Sequence, residues 1–260
     1  YWPQSMATEP GVLVTRPAGQ GKALCLALAA AGFRPVQQPL LQLEALPALA
    51  PGVRQHLLDL DNYQHIIFIS ANAVHFGLAC IDDYWPQLPL GLNWYAIGGA
   101  TAALLAQRGV APLSPGTEMT SEGLLARPEL QQVTGQRVLI VKGEGGRDTL
   151  RRALSARGAR VDELACYRRR CPALAAGELA RTVTAADVRF ILLSSGEGLA
   201  NLLALLSEKE TTKFRDMCLV VPSERVARMA REAGFRRVAT ADNASDEAML
   251  RALQEYSAGD

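Results

Sequence analysis

The residues best suited to chemistry lie in short polar turns, each between an apolar run and an Ala/Leu-rich stretch. These turns share small, hydroxyl-bearing or glycine residues, and two of them carry an arginine. The candidate substrate-binding residues are Arg16, Ser70, Asn72, Gly99, Ser121, Gly143, Arg147, Ser195, Gly196 and Ser223. A helix that begins at such a turn presents unpaired N–H groups and a partial positive charge. The turns therefore predict binding of a ligand with several carboxylates or phosphates.

The same turns also have a purely structural interpretation. Ser, Thr and Asn are preferred N-cap residues, and each stabilises a helix by about 1 kcal/mol with no ligand present. For any single turn the sequence favours capping alone, whereas the repetition of the pattern favours anion binding. Both interpretations stay open at this point.

Motifs of several enzyme classes are missing from the sequence. Residues 143–146 (GEGG) follow an apolar run, but they lack the lysine and hydroxyl residue of a phosphate-binding loop, and no G-x-G-x-x-G follows the first apolar run. His56, His65 and His75 have no metal-ligand spacing. Ser195 has glycine on one side only, unlike the nucleophile of G-x-S-x-G. We therefore expect no metal, no cofactor and no covalent nucleophile.

The elements that carry these turns occur twice. Three phrases follow one another in the order A-B-C-A-B-C. Phrase A covers 11–36 and 136–161, phrase B 65–78 and 189–203, and phrase C 94–125 and 218–250. Each phrase begins with a continuous apolar run, which is typical of a parallel strand covered on both faces. Helix ends are expected at Gly32, Gly109, Gly158 and Gly234. The pattern predicts an α/β protein with two doubly wound, flavodoxin-like parallel-sheet lobes.

Two extended, proline-bounded stretches, Pro35 to Pro47 and Val161 to Pro172, follow the two A phrases. They predict two linkers that pair with each other and carry the chain from one lobe to the other. We therefore expect a discontinuous lobe 1 and a continuous lobe 2, with a division near residue 130 as the alternative. The expected bounds are 6–37 and 172–260 for lobe 1, 47–161 for lobe 2, and 38–46 and 162–171 for the paired linkers. A cleft between lobes is the usual place for a ligand.

Composition narrows the class of protein. The 260 residues suffice for two domains, and the net charge of +1 gives no reason to expect nucleic-acid or anionic-membrane binding. The 23 arginines against 4 lysines suit carboxylate binding but are also typical of a GC-rich genome. Five cysteines without a C-x-x-C spacing indicate a reducing compartment, so we expect a cytoplasmic protein. We interpret Tyr1 to Ser5 as a tag or leader, with Met6 as a natural start.

An ordered series of motifs gives a family resemblance. VLVTRP, IFISANAV, AIGGATAALLAQRG, TSEGLL, VLIVKGEGGRDTL, ELACYRRRCP, LLSSGEGL and VPSERVA occur in this order between Val12 and Ala227. The series resembles the uroporphyrinogen-III synthase family, and the resemblance extends from Val12 to Leu253. It implies two α/β lobes joined by a two-stranded linker, with the first lobe built from both chain ends.

The resemblance also implies an activity. The family converts hydroxymethylbilane, a linear tetrapyrrole with carboxylate arms on every ring, into uroporphyrinogen III, by loss of water, inversion of the last ring and closure of the macrocycle. It uses no metal or organic cofactor. We expect a monomer that receives this substrate, by handover from the upstream deaminase, and that binds neither nucleic acid nor membrane.

The resemblance assigns roles to particular residues. Tyr167 matches the family's linker tyrosine and is the candidate proton donor, with simple aromatic packing as the alternative. Thr101 matches a threonine near the substrate and is the second catalytic candidate, with helix capping as the alternative. Backbone N–H groups in the serine turns would hold the acetate and propionate arms, and Arg16 and Arg147 would contact carboxylates through both guanidinium nitrogens.

Two other functions stay open. A non-catalytic two-lobed receptor for a polyanionic small molecule would need the same turns but no Tyr167. A regulatory protein built on receiver-like domains would need an acidic pocket, for which Glu122 and Asp148 are the candidates.

Overall fold

The computed structural model describes residues 9–116 and 118–259. The predictions about Tyr1 to Ser5 and Met6 concern residues outside these ranges. The described residues form an alternating series of strands and helices. The strands are β1 (Gly11–Val14), β2 (Arg34–Gln37), β3 (Gln42–Ala45), β4 (His65–Phe68), β5 (Asn93–Ala96), β6 (Arg137–Gly143), β7 (Arg160–Arg170), β8 (Val188–Leu192), β9 (Cys218–Val221) and β10 (Arg237–Thr240).

The helices connect these strands. They are α1 (Lys22–Ala30), α2 (Pro51–Leu58), α3 (Ala71–Asp82), α4 (Gly99–Gln107), α5 (Ser121–Leu125), α6 (Thr149–Ala156), α7 (Glu178–Ala185), α8 (Gly196–Ala204), α9 (Glu208–Phe214), α10 (Glu224–Glu232) and α11 (Asp246–Gly259). Short 3₁₀ segments lie at Leu60–Asn62 and Pro128–Leu130. The predicted helix ends are confirmed, because the glycines just beyond them have positive φ angles: +86° at Gly32, +76° at Gly109, +85° at Gly158 and +94° at Gly234.

The chain divides into two compact units. Unit 1 contains the described residues of Tyr1–Gln42 and Arg170–Asp260, and unit 2 contains those of Leu43–Arg169. The boundaries between the units fall within the two predicted linkers, 38–46 and 162–171.

The sheet of unit 1 has the strand order β10-β9-β8-β1-β2. All of its neighbouring strands run parallel. When the five strands are numbered 1 to 5 along the chain and the sheet is read from β2 to β10, the order is 2-1-3-4-5. This is the order of flavodoxin-like folds. The direction of winding changes between β1 and β8, where a ligand site is expected just beyond the carboxyl ends of the strands.

The sheet of unit 2 has the order β3-β7-β6-β4-β5. The pairs β7-β6, β6-β4 and β4-β5 are parallel. The direction of winding changes between β4 and β6. Strand β3 occupies the outer position beside β7, so the two stretches predicted as linkers are neighbours within this sheet.

Each unit combines an A strand from one copy of the repeat with a B strand from the other copy. The A strand β1 pairs with β8 of the second B phrase, and the A strand β6 pairs with β4 of the first B phrase. The turns that follow A and B strands therefore lie side by side in each unit. This places Arg16 beside the Ser195 turn in unit 1, and Gly143 beside the Ser70 turn in unit 2.

Helices cover both faces of each sheet, as the unalternated apolar strands predicted. In unit 1, Leu13 packs with α8 and α10 residues, whereas Val12 and Val14 pack with those of α1 and α11. In unit 2, Phe68 packs on the α3 face and Ile67 on the face of α5 and α6. The doubly wound α/β fold class is confirmed.

Candidate functional site

Tyr167 lies within a sheet strand. It belongs to β7, and its register partner in the neighbouring strand is Gly143, the last residue of β6. The Tyr167 carbonyl oxygen accepts a hydrogen bond of 2.8 Å from the Glu144 N–H. The predicted linker 162–171 thus coincides largely with β7, and the sheet fixes the backbone on either side of this tyrosine.

The Tyr167 side chain is held on the α3 face of unit 2. It is 2% exposed, and its ring stacks on Phe76 with 4.9 Å between ring centroids and 21° between the planes. Its hydroxyl oxygen lies 3.4 Å from Ser70 Oγ, a long hydrogen bond. The ring is thus fixed by packing, whereas the phenolic proton is only weakly engaged.

Gly143 makes this placement possible. A Cβ atom at residue 143 would lie 2.8 Å from two carbons of the Tyr167 ring. Gly143 is the buried last residue of β6, at the start of the turn 143–146 that the sequence predicts to bind an anion. Its lack of a side chain leaves room for the tyrosine.

The serine turns repeat the same local geometry. Ser70, Ser195 and Ser223 are N-caps of α3, α8 and α10, with φ of −159°, −163° and −163°. Their hydroxyls accept from the N–H groups three residues later at 3.1, 3.1 and 3.4 Å. The structural interpretation therefore holds for the side chains. Capping satisfies one N–H, so the first N–H groups of each helix stay suitable for an anion.

The other turn residues of unit 2 on this side belong to α3 and α4. Asn72 lies in the first turn of α3, and Gly99 is the exposed first residue of α4. Thr101 is 3% exposed on the first turn of α4. The N-cap of that helix is Gly98, and no side chain caps it, so capping does not explain Thr101.

Ser121 and Arg147 lie on the opposite face of the unit 2 sheet. Thr120, not Ser121, is the N-cap of α5, because its hydroxyl accepts from Gly123 N–H at 3.1 Å. Arg147 is 73% exposed, and its Nη1 is 3.7 Å from Glu122 Oε1. Both Ser121 and Arg147 line a cavity of about 280 Å³.

This cavity is lined by both apolar and charged side chains. The lining residues are Ile69, Ile97, Met119, Thr120, Ser121, Ile140, Lys142, Arg147, Leu150, Arg151 and Glu163. Lys142 Nζ lies 2.9 Å from Glu163 Oε2, and Arg151 Nε lies 3.4 Å from Glu163 Oε1. Lys142 is only 11% exposed, so most of its side chain is removed from solvent.

Arg16 of unit 1 is already engaged within the protein. Its Nη2 donates to the Ala244 carbonyl at 2.6 Å and lies 2.7 Å from Asp246 Oδ1 at the start of α11. Its Nε is buried and has no hydrogen-bond partner among the described residues. The turn does not itself begin a helix, contrary to expectation, because α1 starts only at Lys22.

Gly196 lies against the neighbouring helix α10. A Cβ atom at residue 196 would lie 3.2 Å from Met229 Sδ and 3.4 Å from Arg225 Nη1. The Ser195 and Ser223 turns therefore belong to adjoining helices of unit 1.

The predicted residues thus form three groups. Tyr167, Ser70 and Gly143 are in contact in unit 2, Ser121 and Arg147 line the cavity of the same unit, and the unit 1 residues belong to separate turns. Sequence reasoning missed Phe76 and the pair Lys142–Glu163. Lys142 offered a signal, as a lysine directly after the apolar run 138–141, while Phe76 offered none.

The described residues contain no group of three or more His, Cys, Asp or Glu side chains arranged to hold a metal ion. No helix in the described part of the chain is both long and apolar enough to cross a membrane. All five cysteines are free thiols. Burial raises the pKa of the Cys166 thiol to about 12 and that of the Cys218 thiol to about 11, which makes both poor nucleophiles.

Comparisons with known proteins agree with this fold. A family model described as HEM4, uroporphyrinogen-III synthase HemD, matches residues 22–251. The uroporphyrinogen-III synthase of Escherichia coli (strain K12) is 37% identical over 248 residues, which cover 94% of this chain and 99% of that protein. The synthase of Salmonella typhimurium (strain LT2) is 36% identical over 94% of this chain and 99% of that protein.

Solved structures share the same architecture. A mutant uroporphyrinogen III synthase from the extremely thermophilic bacterium Thermus thermophilus aligns with a TM-score of 0.60 and 18% identity, covering 96% of this chain and 100% of that one. The uroporphyrinogen-III synthetase of Helicobacter pylori 26695 aligns with a TM-score of 0.59 and 16% identity, covering 95% of this chain and 99% of that one. These structural similarities show the fold. The match to the family model and the 37% identity to the Escherichia coli protein show the family. The chain belongs to the uroporphyrinogen-III synthase family.

Proposed function

We propose that this chain is the enzyme that cyclises hydroxymethylbilane to uroporphyrinogen III, a step of tetrapyrrole (haem) biosynthesis. The observation that carries the proposal is the 37% identity to the Escherichia coli synthase over 99% of that protein's length. The fold and the cluster around Tyr167 are compatible with the chemistry that the reaction needs.

The first step is loss of the terminal hydroxyl group. Hydroxide is a poor leaving group, so a proton donor accelerates its departure. The Tyr167 phenol, with only a 3.4 Å contact to Ser70 Oγ, has a proton to give. As the C–O bond breaks, the phenolic proton leaves with the oxygen as water and a cation is left on the pyrrole. The phenolate regains a proton from the ring carbon that closes the macrocycle.

The second requirement is a hold on many carboxylates at once. The N-terminal turns of α3, α4, α8 and α10 present N–H groups at Asn72, Gly99, Gly196 and their neighbours. Each such turn stabilises an anion by about 0.3–1 kcal/mol. We assign the acetate and propionate arms to these turns, with Thr101 near the reacting ring.

The third requirement is orientation. Direct ring closure gives the isomer without inversion, so the protein must hold the last ring where its substituted carbon is attacked. Inversion then passes through a spirocyclic intermediate, which breaks and closes again. Distributed carboxylate contacts supply this orientation without any covalent bond to the protein.

The setting of the reaction follows from the same features. Five free thiols support a reducing, cytoplasmic compartment. Two further points stay predictions. One is that the enzyme works as a monomer, and the other is that it receives its substrate from the upstream deaminase.

Turnover separates the enzyme from a receptor for the same polyanion. Freshly prepared hydroxymethylbilane is mixed in large molar excess over the protein, and its disappearance is followed against a sample without protein. The proposed enzyme consumes the whole excess faster than the protein-free control. A receptor binds at most one equivalent, and the excess then decays at the rate of the control.

A further inference from the structure

The cavity of unit 2 has the size and polarity of a site for one substituted ring. Its volume of about 280 Å³ lies just below the range of about 300–1,000 Å³ that is usual for small-molecule sites. It therefore suits a fragment and not a whole tetrapyrrole. Ile69, Ile97, Ile140 and Leu150 form its apolar surface, which a flat heteroaromatic ring can cover.

The basic side chains that line the cavity suit a carboxylate. Lys142, Arg147 and Arg151 all line this one cavity. Lys142 is the most buried of them, at 11% exposure, compared with 73% for Arg147 and 47% for Arg151. A charge-assisted hydrogen bond that a partly buried side chain donates to a carboxylate is stronger than one at an exposed site. Lys142 is therefore the strongest single anchor for an anion here.

Glu163 occupies the position that such an anion would take. Its two carboxylate oxygens lie 2.9 Å from Lys142 Nζ and 3.4 Å from Arg151 Nε. Glu163 also lines the cavity and is 31% exposed, so its side chain has room to turn away. It is the counter-ion of Lys142 in this structure.

We propose that this cavity binds one carboxylate-bearing pyrrole ring of the substrate, with Lys142 holding the carboxylate and Glu163 competing with it. Glu163 is thus a specificity-determining residue. It makes the site selective for ligands with enough other carboxylate contacts to displace it, and so disfavours single-ring compounds. This inference rests on the proposed function, because it takes the ring from that substrate.

The test uses the full-length protein and a free pyrrole that carries one acetate and one propionate arm. Its dissociation constant is measured by NMR titration, with the methyl resonances of Ile140 and Leu150 as reporters of the cavity. Lys142→Gln should weaken binding about tenfold, as expected for loss of a charge-assisted hydrogen bond. Glu163→Gln should strengthen it by about threefold to tenfold, since the competing charge is removed.

The double variant distinguishes binding from a structural ion pair. If Lys142 holds the ligand, Lys142→Gln/Glu163→Gln binds about tenfold more weakly than Glu163→Gln. If the pair only supports the fold, the double variant binds as well as Glu163→Gln and the proposal is overturned. Asp82→Asn is the matched control, because it removes one carboxylate of unit 2 from an exposed ion pair with Arg108, and it should leave binding unchanged.

Two further arms keep the test decisive. If Lys142→Gln does not fold, Ile97→Phe fills the cavity without changing its charges and should abolish the methyl shifts; binding that persists overturns the proposal. The product isomers of the wild-type protein are measured in parallel. Absence of the type III isomer removes the proposed function, whereas type III product with no probe binding in the cavity of either the wild type or Glu163→Gln overturns this inference alone.

Discussion

The Tyr167 ring lies directly against the Cα atom of Gly143, because a methyl group at residue 143 would be 2.8 Å from two of its ring carbons. The two residues are register partners on adjacent parallel strands. One residue in the second A phrase thus sets the position of the candidate acid, and the stack on Phe76 also holds the ring.

Replacing Gly143 should therefore disturb the tyrosine. Gly143→Ala is expected to lower the free energy of unfolding by about 1–3 kcal/mol, as overpacking does, and to slow turnover. Chemical denaturation and the rate assay measure the two effects. Gly52→Ala is the control: a Cβ there meets no atom within 4 Å, and its helical site should gain stability. A Gly143→Ala protein as stable and as active as the wild type would contradict the packing argument.

Removing the phenolic hydroxyl should affect the rate and not the fold. Tyr167→Phe keeps the stack on Phe76 and loses only a 3.4 Å contact. Because a positioned acid contributes roughly 10²–10⁴-fold, we expect turnover at least about tenfold slower, an unchanged melting temperature and intact ring inversion. Tyr84→Phe, in the same hydrophobic cluster, is the control. A wild-type rate for Tyr167→Phe would show that the residue contributes only to packing and is not the proton donor.

The two candidate arginines should differ in what they stabilise. Arg16 is bonded to Ala244 and Asp246 and is 17% exposed, so Arg16→Ala should lower the free energy of unfolding by about 1–3 kcal/mol. Arg147 has one exposed contact at 3.7 Å, and its removal should change stability by less than about 1 kcal/mol.

Substrate binding should respond mildly to either change. Many contacts share the carboxylates, so each arginine variant should weaken binding by about 1 kcal/mol. Equilibrium denaturation and the Michaelis constant report the two quantities separately. Complete loss of activity in folded Arg147→Ala protein would refute the distributed model.

The thiols should react in order of exposure. At pH 8 a thiol with a pKa of about 12 or about 11, as at Cys166 and Cys218, is almost entirely protonated and so unreactive. Cys171 is exposed and should be labelled first by a disulfide reagent. Cys166 and Cys218 should react only after denaturant is added. Cys171→Ser should remove the fastest phase, and fast labelling of Cys166 in native protein would argue against its burial.

The sequence predicted the fold well, because its signals are local. Continuous apolar runs mark strands such as β4 and β6, and Gly32 and Gly109 mark helix ends. The repeat order indicated how the phrases combine, since β1 pairs with β8 and β6 with β4. The incorporation of β3 and β7 into one sheet was not predicted, because periodicity does not distinguish an isolated ribbon from a sheet edge.

The site was predicted less completely, because its contacts are long-range. Ser70 and Tyr167 are 97 residues apart, and Arg16 and Ala244 are 228 apart. The turn residues were visible as polar positions after strands. Three further contacts depend on packing that a single sequence does not reveal. They are the ion pair of Arg16 with Asp246, the stack of Tyr167 on Phe76 and the ion pair of Lys142 with Glu163.

The isomer composition of the product is the most direct test of the proposed cyclisation with ring inversion. Freshly prepared hydroxymethylbilane is incubated with the protein, and the type I and type III isomers are separated after oxidation to porphyrins. We expect the type III isomer to predominate, whereas a sample without protein gives type I by closure without inversion. Type I alone, formed at the rate of the protein-free sample, would show that the protein does not catalyse this cyclisation.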